Sequence, residues 1–456
     1  MIRRSILAFA CLALSSCIDG TGPRPRPGTT TNEPPPEERA QLLWFETVPR
    51  VIVQGRSDSI VVNVGVTGNV DGVFLQPRTG NQLALTRTSD GVYTIRIHPS
   101  LLLFGYRTGD LRHLAGFLEV TGEGLPQQEF LHVNVKDVTI PSVSFNSLPG
   151  QAQASAHILN LRVDALTVGN EVPAAVIRTL YDHFPDDYTF IAVIEQVHSA
   201  KEPFLIPVRN DITGIGLASF DRGAQYGSGA RLEAIIQYPN AIDFDLAQTD
   251  NLHEIAHRWM NYTTQPSLAL GRPHWPISSA AYGILGLHNP ATGEWDPFPF
   301  EIVRQSDGNH ILRTADQPRS FNDLELYLMG LMPPDSVRTH FVFVNQNQRL
   351  QVRLNGLLLG AVDSVRVADI VTADGPRTPS TTNARRDFRL ATIVLTKGGL
   401  MNADEMAFFD YMAARGEQRV ALPFFDAINR GTTLPFYVAT GGRAILTTLL
   451  RLAQPN

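Results

Sequence analysis

The stretch Asn251-Leu252-His253-Glu254-Ile255-Ala256-His257-Arg258-Trp259-Met260 decides how this chain is read. It contains His-Glu-x-x-His. Residues four apart on an α-helix share a face, one turn above the other. His253 and His257 can therefore offer two imidazole nitrogens to one metal ion. Glu254 is rotated by about 100° from His253. Its carboxylate is placed to act as general base on a water activated at the metal rather than to ligate. Leu252, Ile255, Ala256, Trp259 and Met260 recur at helical spacing and form an apolar stripe beside the histidines. No Gly or Pro interrupts Asp243 to Thr264. The plainer alternative is an amphipathic helix whose two histidines are satisfied within the fold.

The rest of the chain sets bounds. Its 456 residues allow two or three domains, and 43% apolar with 18% charged residues is a globular composition. A net charge of -6 argues against nucleic acid as a partner. The two cysteines are Cys11 and Cys17. The region beyond them has neither disulfide nor thiolate, so any metal site must be built from His and carboxylates.

The N-terminus begins with basic Met1-Ile2-Arg3-Arg4 and an apolar run from Ile6 to Leu14, too short to span a bilayer. Leu14-Ser15-Ser16-Cys17 follows and resembles a bacterial lipobox. The resemblance implies a signal peptide over 1–16, cleavage before Cys17 and lipidation of Cys17; an ordinary signal peptide with an incidental Cys is the alternative. Residues 17–40, with Gly22-Pro23-Arg24-Pro25-Arg26-Pro27 and Pro34-Pro35-Pro36, read as a Pro-rich tether. The lipid anchor implies a membrane partner and a place in the bacterial cell envelope, at the outer membrane or cell surface: Asp19 is not the adjacent position that inner-membrane retention signals use.

Residues 41–140 carry short alternating or apolar runs separated by Gly and Asp turn signals. They predict an all-β, immunoglobulin-like sandwich, with the role of a spacer or binding module. From 141 to 456 the pattern becomes α+β. Strands are expected at His157–Val163, Tyr188–Ile194 and Arg231–Gln237, with a helix from Val172 to His183. Beyond Pro334, strands are expected at Leu350–Leu354, Val362–Val367 and Phe388–Thr396. A helix follows, with Asn402 as cap and Glu405 at its third position.

A helix and a small sheet ahead of a His-Glu-x-x-His helix resemble a zincin metallopeptidase. That likeness implies a catalytic domain over 141–456 with a C-terminal α/β part, one Zn2+, and a peptide or protein substrate. It also implies an edge strand that pairs with the peptide, for which Asp211–Leu217 is the candidate. The metzincin extension is excluded, because Met260 and Thr263 occupy its Gly and His positions. Gluzincins take the third ligand, a Glu, from a later helix. Ser320-Phe321-Asn322-Asp323-Leu324-Glu325-Leu326-Tyr327-Leu328-Met329-Gly330-Leu331 reads as such a helix, with Ser320 and Asp323 as a capping pair. It is apolar nearly all round, so Glu325 is expected to be buried and to need a partner, either the metal or an Arg. His-Glu-Ile-Ala-His-Arg-Trp, His274-Trp275, Leu-Glu-Leu-Tyr-Leu-Met-Gly-Leu, Ala368-Asp369-Ile370-Val371 and Gly375-Pro376-Arg377-Thr378-Pro379 together resemble a group of secreted bacterial proteins of gluzincin type, over roughly residues 150–456.

The expected centre is thus His253, His257 and Glu325 around zinc, with Glu254 as base. His274 is a candidate oxyanion donor or alternative third ligand. Tyr327 and Tyr282 are further donors, and Asp250 a candidate to orient His253. Arg258 follows the second His, where many zincins have an uncharged residue; a charged residue there can sit at the cleft wall. The competing function is a non-catalytic surface-binding lipoprotein with a structural or vestigial metal site.

Overall fold

The computed structural model describes residues 38–451 except 54, 56–58, 78–79, 103–112, 169, 200, 230, 240–243, 245–248, 289–294, 297, 299, 315–319, 348–355 and 424–431. Cys17 and nearly all of the tether lie outside the described residues, as does the strand expected at 350–354.

The N-terminal part is all β. Strands β1 (Gln41–Val48), β3 (Ile60–Thr67), β7 (Val92–Ile97) and β6 (Thr86–Ser89) form one sheet in that order. The facing sheet runs β2 (Val51–Val53), β9 (Gln127–Lys136), β8 (His113–Gly122), β4 (Val70–Gln76) and β5 (Leu83–Ala84). Every pairing is antiparallel except β2 with β9. The N-terminal part is thus two β-sheets packed on one core, with β1 in one sheet and β2 in the other. The alternation on β3 explains the packing: Ile60, Val62, Val64 and Val66 point inward with Val73, Leu75, Leu118 and Val133.

The second part is built on one mixed sheet. Its order is β10 (Asn146–Leu148), β11 (Ala152–Ala154), β12 (Ile158–Val163), β17 (Asp387–Lys397), β13 (Phe190–Glu195), β16 (Ala234–Tyr238) and β15 (Phe204–Pro207). A short strand, β18 (Ile445–Thr447), pairs with the start of β17. Strands β12, β17, β13 and β16 are mutually parallel, and β15 closes the edge antiparallel to β16. All residues of β13 and β16 are buried, as parallel strands covered on both faces must be. On β13 the alternation divides the two cores: Phe190, Ala192 and Ile194 face one, Ile191 and Val193 the other.

Helix α1 (Ala174–Tyr181) lies on the second face, through Ile177 and Leu180. The first face carries α2 (Thr249–Ala256), the short α3 (Pro266–Ala269), α4 (Asp323–Met329), α5 (Val367–Asp374) and α6 (Ala403–Ala414). Phe388–Thr396 is a strand as expected, but it inserts between β12 and β13, strands far earlier in the chain. Residues 362–367 divide into a strand over Val362–Val365 and the start of α5. The Asn402–Glu405 capping box on α6 is present.

The two parts are fused. Strand β14 (His198–Ser199) pairs with β1, and the His198 ring stacks on Phe45 at 4.3 Å. Arg50 reaches Glu405 at 3.6 Å, Lys136 reaches Asp404 at 3.4 Å, and Val51 enters the core of the second part.

Arg258 departs from its expected place. Its side chain is 1% exposed and turns toward the sheet, where Nε donates to Glu233 Oε2 at 2.7 Å and Nη1 to Asn210 Oδ1 at 3.1 Å. Arg385 holds the other Glu233 oxygen. Removing one member of a buried charge pair strands the other. Arg258→Ala is therefore expected to cost about 3 kcal/mol in a urea titration, near the low end for buried pairs because Arg385 remains. A loss under about 1 kcal/mol would show that the pair does not hold α2 to the sheet.

Candidate metal centre

Helix α2 follows β16 in the chain and buries Leu252, Ile255 and Ala256. Trp259 and Met260, in the turn beyond it, complete the apolar stripe. His257 lies one residue past α2, but its backbone N–H still donates to the His253 carbonyl at 3.3 Å, so the one-turn spacing survives. His253 is 4% exposed, Glu254 5% and His257 8%.

The third imidazole comes from the returning chain, not from α4. Asn261 Nδ2 donates to the carbonyls of Leu268 and His274, each at 3.0 Å, and Asn261 N–H to Pro273 O at 3.2 Å. Between them, α3 begins under the Gln265 cap, whose side chain accepts from Leu268 N–H. Arg272 donates to Tyr262 O at 2.5 Å and also to Thr263 O. These contacts fold 261–273 back so that His274 sits over α2. His274 is 1% exposed.

The three imidazoles converge. His257 Nε2 lies 3.0 Å and His274 Nε2 3.2 Å from His253 Nε2. His253, His257 and His274 form a group whose ligand atoms all lie within 4.8 Å of one another. Among the described residues no fourth His, Cys, Asp or Glu joins them. His253 Nδ1 stands 3.3 Å from the Ile284 carbonyl, which can only accept, so this nitrogen donates and Nε2 keeps its lone pair.

Two neighbours cannot both donate well to one imidazole lone pair. Three nitrogens facing one point suit a cation. Imidazoles bound at about 2.0–2.1 Å in a tetrahedron would stand about 3.3 Å apart, close to the separations seen. Burial pushes His257 down to about 4. It also drives His274 well below its usual range, aided by His253, His257 and His288. The neutral form is the one that ligates. The group can hold a metal ion.

Glu325 does not join this group, which corrects the expectation that it is the third ligand. The N-cap of α4 is Asn322, not Ser320, and Glu325 is its capping-box partner. The Glu325 carboxylate has no exposed surface and accepts four hydrogen bonds. They come from Asn322 N–H at 2.9 Å, Ile284 N–H at 3.0 Å, Leu285 N–H at 2.9 Å and Trp275 Nε1 at 3.1 Å. Burial raises its pKa, and the four donors pull it back. A Cβ on Gly283 would fall 2.5 Å from a Glu325 oxygen, so only glycine lets the chain pass there.

The remaining candidates are placed as follows. Tyr327 is buried on α4, its hydroxyl held by the Arg377 backbone and its pKa raised by burial; it is no part of the histidine group. Tyr282 is half-buried beside Gly283. Asp250 lies on α2, but its side chain is outside the described residues. Asp211–Leu217 is not the sheet edge, because Thr213 pairs with Thr378 and the edge is β15. His288 is a further histidine near the group. Its ring stacks 6.5 Å from that of His274, and among the described residues its buried Nδ1 has no hydrogen-bond partner. A single His in the Gly/Pro/aromatic stretch after Tyr282 carries no spacing signal.

No protein-family model matches the chain, and no curated protein matches it.

Asp323, in the first turn of α4, gives a pH test. Burial opposes its ionisation, but the hydrogen bond from His340 at 3.1 Å, the charge there, and Arg338 outweigh it and hold the carboxyl at about 2, below its usual 3.8. A depressed carboxyl stabilises the fold above the unfolded value, and the contribution is lost as pH falls from about 4 to about 2. Asp323→Asn is expected to cost about 2 kcal/mol at pH near 6 and almost nothing near pH 2. Urea unfolding at both pH values measures this, and an equal cost at both would refute the assignment.

Proposed function

We propose that this chain is a zinc-dependent metallopeptidase in which His253, His257 and His274 hold one Zn2+ and Glu254 is the general base. The observation that carries the proposal is the convergence of three buried Nε2 atoms one residue away from a buried glutamate. Three imidazole donors suit zinc, and three protein ligands leave the open position of a catalytic site. The zincin-type reading of the second part draws support from the antiparallel edge strand β15, against which α2 packs.

Bound zinc would supply Lewis-acid polarisation of a water and of the substrate carbonyl. The chain's own residues do the rest. Glu254 takes a proton from the attacking water and returns it to the leaving nitrogen, so water and peptide become a carboxylic acid and an amine. An extended peptide would add to the outer side of β15. His274, as a ligand, leaves the oxyanion donor to be found elsewhere, and His288 takes that role in this reading. The Cys17 anchor at the outer membrane or cell surface belongs to the same proposal and would set the enzyme against extracytoplasmic proteins. The competing reading, a surface-binding lipoprotein with a structural or vestigial metal site, would be favoured by a fourth protein ligand; the group among the described residues has three.

Metal analysis and a peptide-library assay on the purified chain test the proposal. Wild type should hold about one zinc, and His274→Ala should lose it. Glu254→Gln should keep the zinc and cut peptide hydrolysis by about 10²–10⁴-fold. His288→Ala should keep the zinc and lower turnover by about 10²-fold. A wild type without zinc after reconstitution would sink the assignment. Zinc with no hydrolysis of any peptide would leave a structural metal site in its place.

A further inference from the structure

We propose that Glu325 is the positioning residue of the metal centre, aligning His274 through Trp275 and His253 through the Ile284–Leu285 segment. The inference rests on the metal reading above and adds what holds that centre in shape.

The connections are short and all buried. Glu325 Oε1 takes the Trp275 indole N–H at 3.1 Å and the Leu285 N–H at 2.9 Å. Oε2 takes the Ile284 N–H at 3.0 Å. Trp275 is the neighbour of His274 and has no exposed surface, so fixing its indole fixes the backbone from which His274 projects. The same peptide segment offers the Ile284 carbonyl to His253 Nδ1 at 3.3 Å, the contact that keeps the His253 Nε2 lone pair pointed at the other two imidazoles. One carboxylate therefore sets the position of one histidine and the tautomer of another. The third, His257, keeps its one-turn spacing from His253 through the backbone hydrogen bond between them.

The chemistry explains why the residue is a glutamate. All four of its partners are N–H donors, which a carboxylate with two oxygens satisfies. A Gln keeps one acceptor oxygen and turns an NH2 toward donors. An Asp is one methylene short of segments that already crowd Gly283. A helix cap alone would need only the bond to Asn322 N–H; the other three bonds reach toward the segments that carry or orient the histidines.

The test is zinc affinity of the folded full chain, by competition with a chromophoric chelator, with circular dichroism to confirm folding. Glu325→Gln should weaken zinc binding about 10–100-fold. Trp275→Phe, which keeps the carboxylate and the helix cap, should give a smaller loss in the same direction. Ile177→Ala removes core packing on the opposite face of the sheet and should bind zinc as wild type does. Wild-type affinity in folded Glu325→Gln, or an equal loss in Ile177→Ala, overturns the proposal. If Glu325→Gln does not fold, Trp275→Phe decides, and unchanged affinity there overturns it. A wild type that takes up no zinc is a different result: it fails the metal centre itself and this inference with it.

Discussion

A carboxylate with no exposed surface has to be given donors, and the arrangement around Glu325 follows from that need. Water supplies several hydrogen bonds to a free carboxylate, and an unpaired buried one is severely penalised. Asn322, Ile284, Leu285 and Trp275 replace that water with four N–H groups. Meeting the requirement draws the start of α4, the 283–285 segment and Trp275 to one point. The histidine group then lies one residue from Trp275 and one hydrogen bond from Ile284. A capping glutamate on one helix thus has consequences for imidazoles on another.

The same logic applies on the sheet side of α2. Glu233, at the entrance to β16, is held by Arg258 and Arg385, and Arg258 follows His257 directly. The helix is therefore fixed at its apolar stripe by packing and at its C-terminal end by charge. A scaffold gripped at several points is what a metal site needs, since ligand atoms must hold their geometry to a fraction of an ångström. The sandwich adds to this rigidity. Through β1–β14 pairing and the Arg50 and Lys136 ion pairs it is joined to the second part by backbone as well as side chains, unlike a free spacer.

What the sequence discloses follows the range of the interaction. Strand periods, the α2 stripe and the Asn402–Glu405 cap depend on neighbours a few residues apart, and they appear where expected. The α4 cap shows the limit. Ser320–Asp323 and Asn322–Glu325 are both plausible boxes in overlapping registers. The longer Glu side chain reaches back to the cap N–H, so the second register is formed and Glu325 becomes a cap rather than a ligand. The insertion of β17 between β12 and β13 was invisible because a parallel strand carries no local sign of its partners. His274 was legible only as an option. Its position depends on the fold of 261–273, where Asn261 and Arg272 bind backbone carbonyls that no motif encodes.

The choice of a third imidazole over a third carboxylate changes the electrostatics of the proposed centre. A His-His-Glu set leaves a zinc dication with one net positive charge; three neutral imidazoles leave two. The polarising effect on water and carbonyl would be larger in such a centre. Burial favours neutral His257 and His274, so protons compete less with a metal for their lone pairs. The low exposure of the whole group strengthens each of these terms, because little water is present to screen them. With Glu325 in the helix cap and not in the ligand set, the proposed centre carries one negative charge fewer, and Glu254 is the acidic residue within the His-Glu-x-x-His motif itself.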